Sequence, residues 1–466
     1  MRALLDVAPT AEQLSLFSRV NNGVEVIRGA AGSGKTTTAL LKLRSSIGSF
    51  LSRRKRIGNP EPLRILVLTY NRTLSGYITE LAKRQFATQE NIELEILTFG
   101  KWAMQAIKNP AMLTPYQQSK AIKSSVHSLT LTQSFIEEEI EYLTGRFLPS
   151  ELNLYLTARR EGRGGSPRME KAAREELLYK VVAPYIEYKQ QNGLIDWNDL
   201  AVEMSQHKYF EYDIVIVDEA QDFSANQIRA IMNQLAPVHA VTFVLDTAQR
   251  IYARGFTWQE VGVTVRPENS FRLTKNYRNT REIAELAASM VSGINTDDDG
   301  TLPNFIGAER NGNKPLMLVG KYKNQVKFCL DYIRKSVNLS EESVAFLHPK
   351  GGGWFDHLRQ ELKDSDFDYV EITREAEWPD GDENIALSTL HSSKGLEFDH
   401  VIIIGLNANV LQHGDDIDDE KLVTLRRLIA MGIGRAKKSV ILGYKADEKS
   451  NIVDFFNRDA FVQVDV

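Results

Sequence analysis

Short apolar runs recur along the chain, and each is followed by polar or helical sequence. Many of their residues are β-branched, and within a run the apolar positions follow one another without the alternation of a half-exposed strand. Such runs indicate parallel strands covered by helices on both faces, and they are numerous enough for two sheets. The runs are Val24 to Arg28, Ile65 to Thr69, Ile214 to Val217, Val241 to Leu245, Leu316 to Val319, Ser343 to Leu347 and Val401 to Ile404. We therefore expect an α/β fold with two parallel-sheet cores.

One segment, about residues 106–207, lacks these strand signals. Its apolar positions fall at helical spacing, as in Ala172, Leu177, Leu178, Val181, Val182 and Tyr185. Gly193 follows the last long helical stretch and is a plausible C-cap. The pattern predicts a helical insertion within the first α/β core.

Length and composition indicate a multidomain chain. Its 466 residues suggest two to four compact units, and 42% hydrophobic with 25% charged residues is ordinary for globular proteins. No apolar run approaches the roughly 18 residues of a membrane span, and residues 1–13 lack the apolar core of a secretion signal. A single cysteine, Cys329, excludes an internal disulfide framework and fits a reducing compartment. We expect a cytoplasmic protein with no membrane partner and with Cys329 in a core.

Global charge does not indicate a nucleic-acid partner, because the formal net charge is −4. The distribution is more informative, since two basic clusters stand out. The first is Arg53 to Arg56, and the second comprises Arg159, Arg160, Arg163, Arg168, Lys171 and Arg174, interspersed with glycines. Either cluster could face phosphates or simply be a solvated surface, and its flexible glycines favour the phosphate role for the second.

A glycine-rich loop connects the first apolar run to a helix-like run. Backbone N–H groups of such a loop enclose phosphates, its lysine places a charge near the β and γ phosphates, and its threonine offers a hydroxyl to Mg²⁺. The alternative is a glycine-rich connection with no ligand. The predicted phosphate-binding residues are Gly29, Ala30, Ala31, Gly32, Ser33, Gly34, Lys35, Thr36 and Thr37.

Two carboxylates, Asp218 and Glu219, follow the apolar run Ile214 to Val217. The end of a buried strand beside a phosphate loop is where a doubly wound sheet binds its ligand. Asp218 can hold Mg²⁺ together with Thr36, and Glu219 can orient and deprotonate an attacking water. In isolation, the two acids could instead be dipole partners at the start of a helix.

Four boxes together carry a resemblance to a known family. They are Asp218 to Asp222, Leu245 to Tyr252, Asn276 to Thr280 and Thr389 to Phe398. In this order they resemble superfamily 1 DNA helicases of the UvrD/Rep/PcrA type, over Thr10 to about Ala446. The resemblance implies two RecA-like motor domains, which bind ATP and Mg²⁺ between them, with the helical insertion in the first. The expected division is residues 1–105 and 208–280 for the first motor domain, 106–207 for the insertion and 281–466 for the second motor domain.

The resemblance also implies roles for single residues at the nucleotide. Gln13 would read the adenine edge, Tyr277 would stack on the base and Glu397 would lie near the ribose. Gln249 would sense the γ phosphate from the first motor domain. Arg278 and Arg435 would act as arginine fingers from the second, where a planar, permanently charged group stabilises the transferring phosphoryl group. The implied catalytic residues are Lys35, Asp218, Glu219, Gln249, Arg278 and Arg435.

Single-stranded DNA contacts are implied for a further set of residues, and aromatic members suit stacking on bases without sequence preference. Tyr70 and Phe99 could equally be core residues at strand ends, and His391 outside its box would be read as a structural histidine. The set is Tyr70, Asn71, Arg72, Phe99, Tyr252, Thr389 and His391.

Two departures from the family pattern bear on activity. Only a short segment, about residues 364–384, precedes the His391 box, where larger members carry a long accessory insertion. The last box has Gly432 and Gly434 where the family usually has alanine and threonine, which predicts a weaker helix before Arg435.

We expect an ATP-dependent translocase or helicase on single-stranded or forked DNA, 3′ to 5′ by resemblance. The alternative is an ATP- and DNA-sensing regulatory subunit of a nuclease, in repair or phage defence. The sequence ends about 20 residues after Ala446, so that nuclease would be a separate chain.

Overall fold

The computed structural model describes most of the chain. The described residues are 13–14, 16, 22–29, 33–69, 75–76, 78–79, 91–108, 110–123, 131–160, 169–246, 256–273, 275–294, 308–373, 379, 381, 383–414 and 419–466. Within these ranges, no helix combines the length and the apolar character needed to cross a membrane.

Six parallel strands form the first sheet. They are Gly23–Gly29 (β1), Leu63–Thr69 (β2), Ile92–Thr98 (β3), Tyr212–Val217 (β4), Leu235–Asp246 (β5) and Ser270–Leu273 (β6). Their order is β3-β2-β4-β5-β1-β6, so β1 and β4 both flank β5. The four apolar runs predicted in this part of the chain are all strands of this sheet. Because its strands are parallel, their carboxyl ends lie at one edge.

Eight helices accompany this sheet in the described part of the chain. They are Lys35–Ile57 (α1), Phe99–Ala106 (α2), Pro115–Lys123 (α3), Gln133–Arg146 (α4), Lys171–Leu177 (α5), Ala183–Gln191 (α6), Trp197–Gln206 (α7) and Ala225–Asn233 (α8). A π-helical turn, Leu178–Val182, joins α5 to α6, and Gly193 follows α6 with φ +62°. Short 3₁₀ turns are Pro149–Leu156, Ala220–Asp222, Pro267–Asn269, Gly352–Phe355, Ala446–Glu448, Asn451–Phe455 and Arg458–Ala460.

The predicted insertion has a core of its own. Phe135, Leu143 and Val181 belong to a buried cluster that is separate from the cluster beneath the sheet. Ala106 of α2 and Leu200 of α7 belong instead to the cluster beneath the sheet. The helical unit is therefore centred on α3 to α6, and the two ends of the predicted 106–207 segment pack with the first sheet.

Two arginines of the second basic cluster face this helical core. Arg160 pairs with the fully buried Glu139 at 2.8 Å, and Arg174 donates to the carbonyls of Tyr155 and Ala158. In the first cluster, Arg54 pairs with Asp213 at 2.8 Å. Because their donors are engaged within the protein, Arg54, Arg160 and Arg174 are structural residues here, and the phosphate role favoured for the second cluster is wrong for Arg160 and Arg174.

The second sheet has seven parallel strands. The remaining strands in the described ranges are Asn276–Thr280 (β7), Ala308–Arg310 (β8), Leu316–Val319 (β9), Val344–His348 (β10), Val370–Glu371 (β11), Ile385–Thr389 (β12), Phe398–Ile403 (β13), Ala436–Tyr444 (β14) and Val462–Asp465 (β15). The sheet order is β11-β12-β10-β13-β14-β9-β15, while β7 pairs with β8. The expected second parallel-sheet core is confirmed.

Among the described residues of this half, the helices are Arg281–Val291 (α9), Tyr322–Ser336 (α10), Asp356–Asp364 (α11) and Glu420–Ile433 (α12). Cys329 of α10 is fully buried, as predicted. The amide of Asn279 in β7 donates to the carbonyls of Gly434 and Ala436. Strand β7 therefore packs with the second sheet, although the expected division at residue 280 assigned it to the first.

The helix before Arg435 is continuous through Gly432. A Cβ atom at Gly432 would lie 2.3 Å from Cδ2 of Leu390, because α12 approaches the end of β12 closely there. The glycine thus allows tight packing, which offsets its low helix propensity.

Candidate active site

The phosphate loop lies between β1 and α1. Strand β1 ends at Gly29, and Gly34 caps α1 in a left-handed conformation. Lys35 is 9% exposed, and its ammonium donates to the Gly29 carbonyl at 3.1 Å, so it points back over the loop. The first N–H groups of α1 have no partners within the helix and are available to an anion. Ser33, Thr36 and Thr37 flank this end of α1, whereas Ala30, Ala31 and Gly32 lie outside the described residues.

Gln13 is at the base of this loop. Its side chain is buried, and its amide nitrogen donates to Oγ1 of Thr38 at 3.0 Å and to the Gly34 carbonyl at 3.3 Å. The structure brings Gln13 to the first turn of α1. Its reading of an adenine edge stays a prediction.

Thr36 and Asp218 form an oxygen pair beside Lys35. The Thr36 hydroxyl donates to Oδ2 of Asp218 at 2.9 Å, and the Asp218 N–H donates to the Leu68 carbonyl, which fixes the residue at the end of β4. Burial, with a contribution from Glu219, raises the pKa of Asp218 to about 6. A hydroxyl and a carboxylate are hard oxygen ligands, so this pair fits Mg²⁺ as predicted from the sequence.

Glu219 is held in an uncommon conformation next to this pair. Its φ of +54° is left-handed, where non-glycine residues are rare and are often functional. Its carboxylate accepts a hydrogen bond from the Gln221 amide. Burial would raise the pKa of Glu219, but the charges of Lys394, Lys35 and Arg435 outweigh burial and lower it to about 2. Glu219 is therefore ionised in this arrangement.

Lys394 reaches this acid from the second sheet. It is 2% exposed, its ammonium lies 3.5 Å from Oε2 of Glu219, and it donates to Asp222. The turn after β12 positions it, since its N–H donates to the His391 carbonyl at 3.3 Å. Sequence reasoning assigned it no role, although it lies inside the Thr389 to Phe398 box between two residues that received one.

Arg278 and Glu397 meet on the second half of the molecule. Arg278 donates to the Glu397 carboxylate and, at 3.3 Å, to the Gly434 carbonyl. Burial opposes ionisation of Glu397, but Arg278 and Lys437 outweigh it and lower its pKa to about 2, with help from Arg435. The buried Arg435 thus affects both Glu219, which follows strand β4 of the first sheet, and Glu397, which precedes strand β13 of the second.

The predicted DNA-contacting residues divide by burial. Phe99 is 6% exposed and packs edge-on against Trp102 and Phe223, which agrees with the core alternative and leaves no face for a base. Thr389 is half-buried at the end of β12, and the His391 side chain is exposed. The other predicted residues, Tyr70, Asn71, Arg72, Tyr252 and the γ-phosphate sensor Gln249, lie outside the described residues, while Tyr277 is half-buried beside Arg278.

Two family models match the chain. Residues 10–258, more than half of it, match the UvrD/REP helicase N-terminal domain, and residues 369–447 match the UvrD-like helicase C-terminal domain. The first match contains Lys35 and Glu219 and the second contains Lys394 and Arg435, whereas Arg278 lies between the two matches.

Curated relatives support the same match at lower identity. A "Probable DNA helicase" of Mycoplasma pneumoniae is 22% identical over 458 residues, covering 91% of this chain and 80% of the relative. A "Probable DNA helicase II homolog" of that organism is 26% identical over 298 residues, 58% of this chain and 40% of the relative. The "ATP-dependent DNA helicase Rep" of Buchnera aphidicola is 40% identical over 74 residues, 16% of this chain and 12% of Rep. The chain thus spans less than half of the second relative's length.

Proposed function

The chain belongs to the UvrD/REP helicase family, and on this premise we propose that it is an ATP-dependent motor that moves along single-stranded DNA. We further propose that it hydrolyses ATP in the cleft between its two sheets and moves 3′ to 5′. The cleft is supported by the residues that surround it, whereas the direction rests on the family resemblance.

One observation carries the cleft mechanism. The Glu219 carboxylate is surrounded by positive charge from both halves, with Lys35 on its own side and Lys394 and Arg435 on the other. Side chains that meet between two sheets can respond to the relative position of those sheets. A site of this kind couples occupancy to domain movement, which a motor requires.

The site residues have distinct tasks in this proposal. The Thr36 hydroxyl and the Asp218 carboxylate would hold Mg²⁺, which neutralises phosphate charge when bound. Lys35 and the N-terminus of α1 bind phosphate oxygens. Glu219 orients water and accepts its proton, and Arg278 and Arg435 stabilise charge on the transferring phosphoryl group.

The position of Lys394 determines how strong a base Glu219 is in this proposal. While its ammonium is next to Glu219, the carboxylate is a weak base, because an effective general base has a pKa nearer to neutrality. Movement of the second half that withdraws Lys394 would raise the basicity of Glu219. In this proposal, that movement follows from DNA binding by Thr389 and His391, which lie in the same turn.

The test is ATP hydrolysis with and without single-stranded DNA. We expect stimulation by DNA in the wild-type protein and loss of turnover in Lys35→Ala and Glu219→Gln. Matched controls are Lys55→Ala, which removes an exposed lysine from the same helix α1, and Glu211→Gln, which changes an exposed acid just before β4. An ATP hydrolysis rate that does not change when DNA is added would exclude the proposal, as would a wild-type rate in both Lys35→Ala and Glu219→Gln.

Duplex DNA with a single 3′ or 5′ tail distinguishes strand separation from movement along single-stranded DNA alone. If the motor also separates strands, it should unwind only the substrate with a 3′ tail, whereas movement alone would leave both substrates intact. We propose the motor rather than a nuclease-regulating subunit, because the relatives reported above are described as DNA helicases.

A further inference from the structure

Trp354 is an exposed indole at the carboxyl edge of the second sheet. It lies in the glycine-rich turn Gly352–Phe355 that follows β10, and 41% of its surface is exposed. Large aromatic side chains are costly to expose, and an exposed indole on an ordered turn often marks a binding surface. No step of the ATP-hydrolysis mechanism uses it.

The indole is supported from within the protein. Its ring stacks on the His348 imidazole, with centroids 5.4 Å apart and an interplanar angle of 20°. His348 is 4% exposed, and its Nδ1 accepts the N–H groups of Lys350 and Gly351, both at 3.0 Å. Since its orientation is already fixed, Trp354 loses little conformational entropy when a flat ligand stacks on it.

The turn also carries positive charge. The Lys350 ammonium lies 5.2 Å from the centroid of the Trp354 ring, and the Lys350 side chain is exposed. An aromatic ring with an adjacent cation suits one nucleotide unit, because the ring accepts the base and the cation attracts the phosphate.

The position of the turn connects it to the proposed DNA path. His348 is the register partner of Thr389, in adjacent parallel strands. Gly351 has φ +66° and ψ −156°, and a Cβ atom there would lie 2.5 Å from Cγ2 of Thr389. Only glycine allows both this conformation and this approach. The turn is therefore packed against Thr389, two residues before the exposed His391.

We propose that Trp354, backed by His348, is a stacking platform for an unpaired base of single-stranded DNA on the second half of the protein. The proposal rests on the proposed function, because it adds a contact to the same DNA path. It assigns a base-stacking role to a residue outside the family boxes quoted from the sequence.

The test compares two strands of equal length, oligo-dT and an oligonucleotide with abasic sites in its centre. We expect Trp354→Leu to weaken binding of oligo-dT by about 5- to 150-fold, the range for loss of one stacked base. Trp354→Phe, which keeps an aromatic face, should stay within about threefold of wild type. On the abasic strand, wild type and Trp354→Leu should bind equally, because no base is present to stack.

Tyr116→Leu is the matched control, since it removes an aromatic side chain that is 76% exposed and lies on α3, away from the second sheet. It should leave both affinities unchanged, and thermal unfolding checks that each variant is folded. Equal binding of oligo-dT by Trp354→Leu and wild type would overturn the platform, as would an equal loss on both strands. If wild type bound single-stranded DNA and was stimulated by it, such results would contradict the platform alone. If wild type did neither, both proposals would fail.

Discussion

Lys394 of the second half donates a hydrogen bond to the Asp222 carboxylate of the first half. The two side chains are 3% and 0% exposed, so the pair is shielded from solvent. The same ammonium lies 3.5 Å from Glu219. The contact therefore links the two sheets next to Glu219, the proposed general base. Because the Lys394 charge lowers the pKa of Glu219, that pKa depends on the position of the second half.

A double-mutant cycle on this pair should reveal strong coupling. Removal of one partner from a buried ion pair costs about 3–5 kcal/mol, because the other charge is left buried. We expect Lys394→Met and Asp222→Asn each to lower the free energy of unfolding, and the double variant to recover about 1–3 kcal/mol relative to additivity. Urea unfolding measures all four proteins.

The control cycle uses Lys171 and Glu175, an exposed pair at 3.8 Å on α5. Coupling there should be below about 0.5 kcal/mol. Coupling between Lys394 and Asp222 as small as this would mean that the buried contact does not hold the two halves together.

Thr36→Val should impair the proposed Mg²⁺ site without a change in side-chain volume. The variant loses the hydroxyl that donates to Asp218 at 2.9 Å, whereas Thr36→Ser keeps it. We expect Thr36→Val to reduce ATP turnover at least about tenfold and to raise the Mg²⁺ concentration needed for half-maximal rate, because one hard oxygen ligand is lost. A magnesium titration of the hydrolysis rate compares the two variants. Indistinguishable titrations would remove Thr36 from the site.

Arg435→Ala should reduce the rate more than it reduces nucleotide binding. An arginine that stabilises the transferring phosphoryl group is worth about 10³- to 10⁵-fold in rate. Arg435→Lys should not restore it, since lysine is a point charge without the planar fork. Arg458→Ala, which removes an exposed arginine near the end of the chain, is the control. Single-turnover rates and nucleotide titrations separate the two effects, and a loss confined to nucleotide affinity would argue against the finger role.

Stability should fall on acidification through His348. Burial, with a contribution from Lys350, lowers the pKa of His348 to about 4 from an ordinary value of 6.5. Between pH 4 and pH 6.5, His348 is therefore mostly protonated in the unfolded chain and mostly neutral in the folded chain. This contribution to stability is intact above about pH 6.5 and declines as pH falls, reaching a loss of about 3 kcal/mol below about pH 4.

The comparison with His348→Gln isolates this effect, since glutamine does not titrate and its carbonyl oxygen can still accept an N–H. Between about pH 7 and pH 5.5, wild type should lose about 1 kcal/mol more stability than the variant. Urea unfolding at both pH values measures the difference. Equal losses would show that protonation of His348 does not affect folding.

The strands that sequence alone identified contain a continuous apolar run, although the largely buried interior strands β12 and β14 were missed. Strand β4 is buried at every position, and its continuous apolar run predicted it. Strand β3 was missed because it lies at an edge of the sheet, where glutamates alternate with apolar residues. Strand β15 was also missed, because it forms an edge of the second sheet and has three exposed positions.

The site was predictable where chemistry is local in sequence. Lys35, Thr36 and Asp218 follow strand ends, and parallel topology brings such ends together. The role of Lys394 was not predictable, because its contact with Asp222 spans 172 residues and depends on how the two sheets face each other. The sequence could not decide whether Phe99 is buried either, because its burial depends on packing against Phe223, which is distant in the chain.

Displacement of streptavidin from end-biotinylated single-stranded DNA is the most direct measurement of whether the protein moves along DNA as it hydrolyses ATP. Oligonucleotides labelled at either the 5′ or the 3′ end are incubated with the protein and ATP, with Lys35→Ala as the inactive control. A motor that moves 3′ to 5′ should displace streptavidin from the 5′ end when ATP is present and slowly or not at all from the 3′ end, and Lys35→Ala should displace it from neither. Hydrolysis stimulated by DNA without displacement from either end would contradict the motor proposal, because the cleft would then report bound DNA without moving along it.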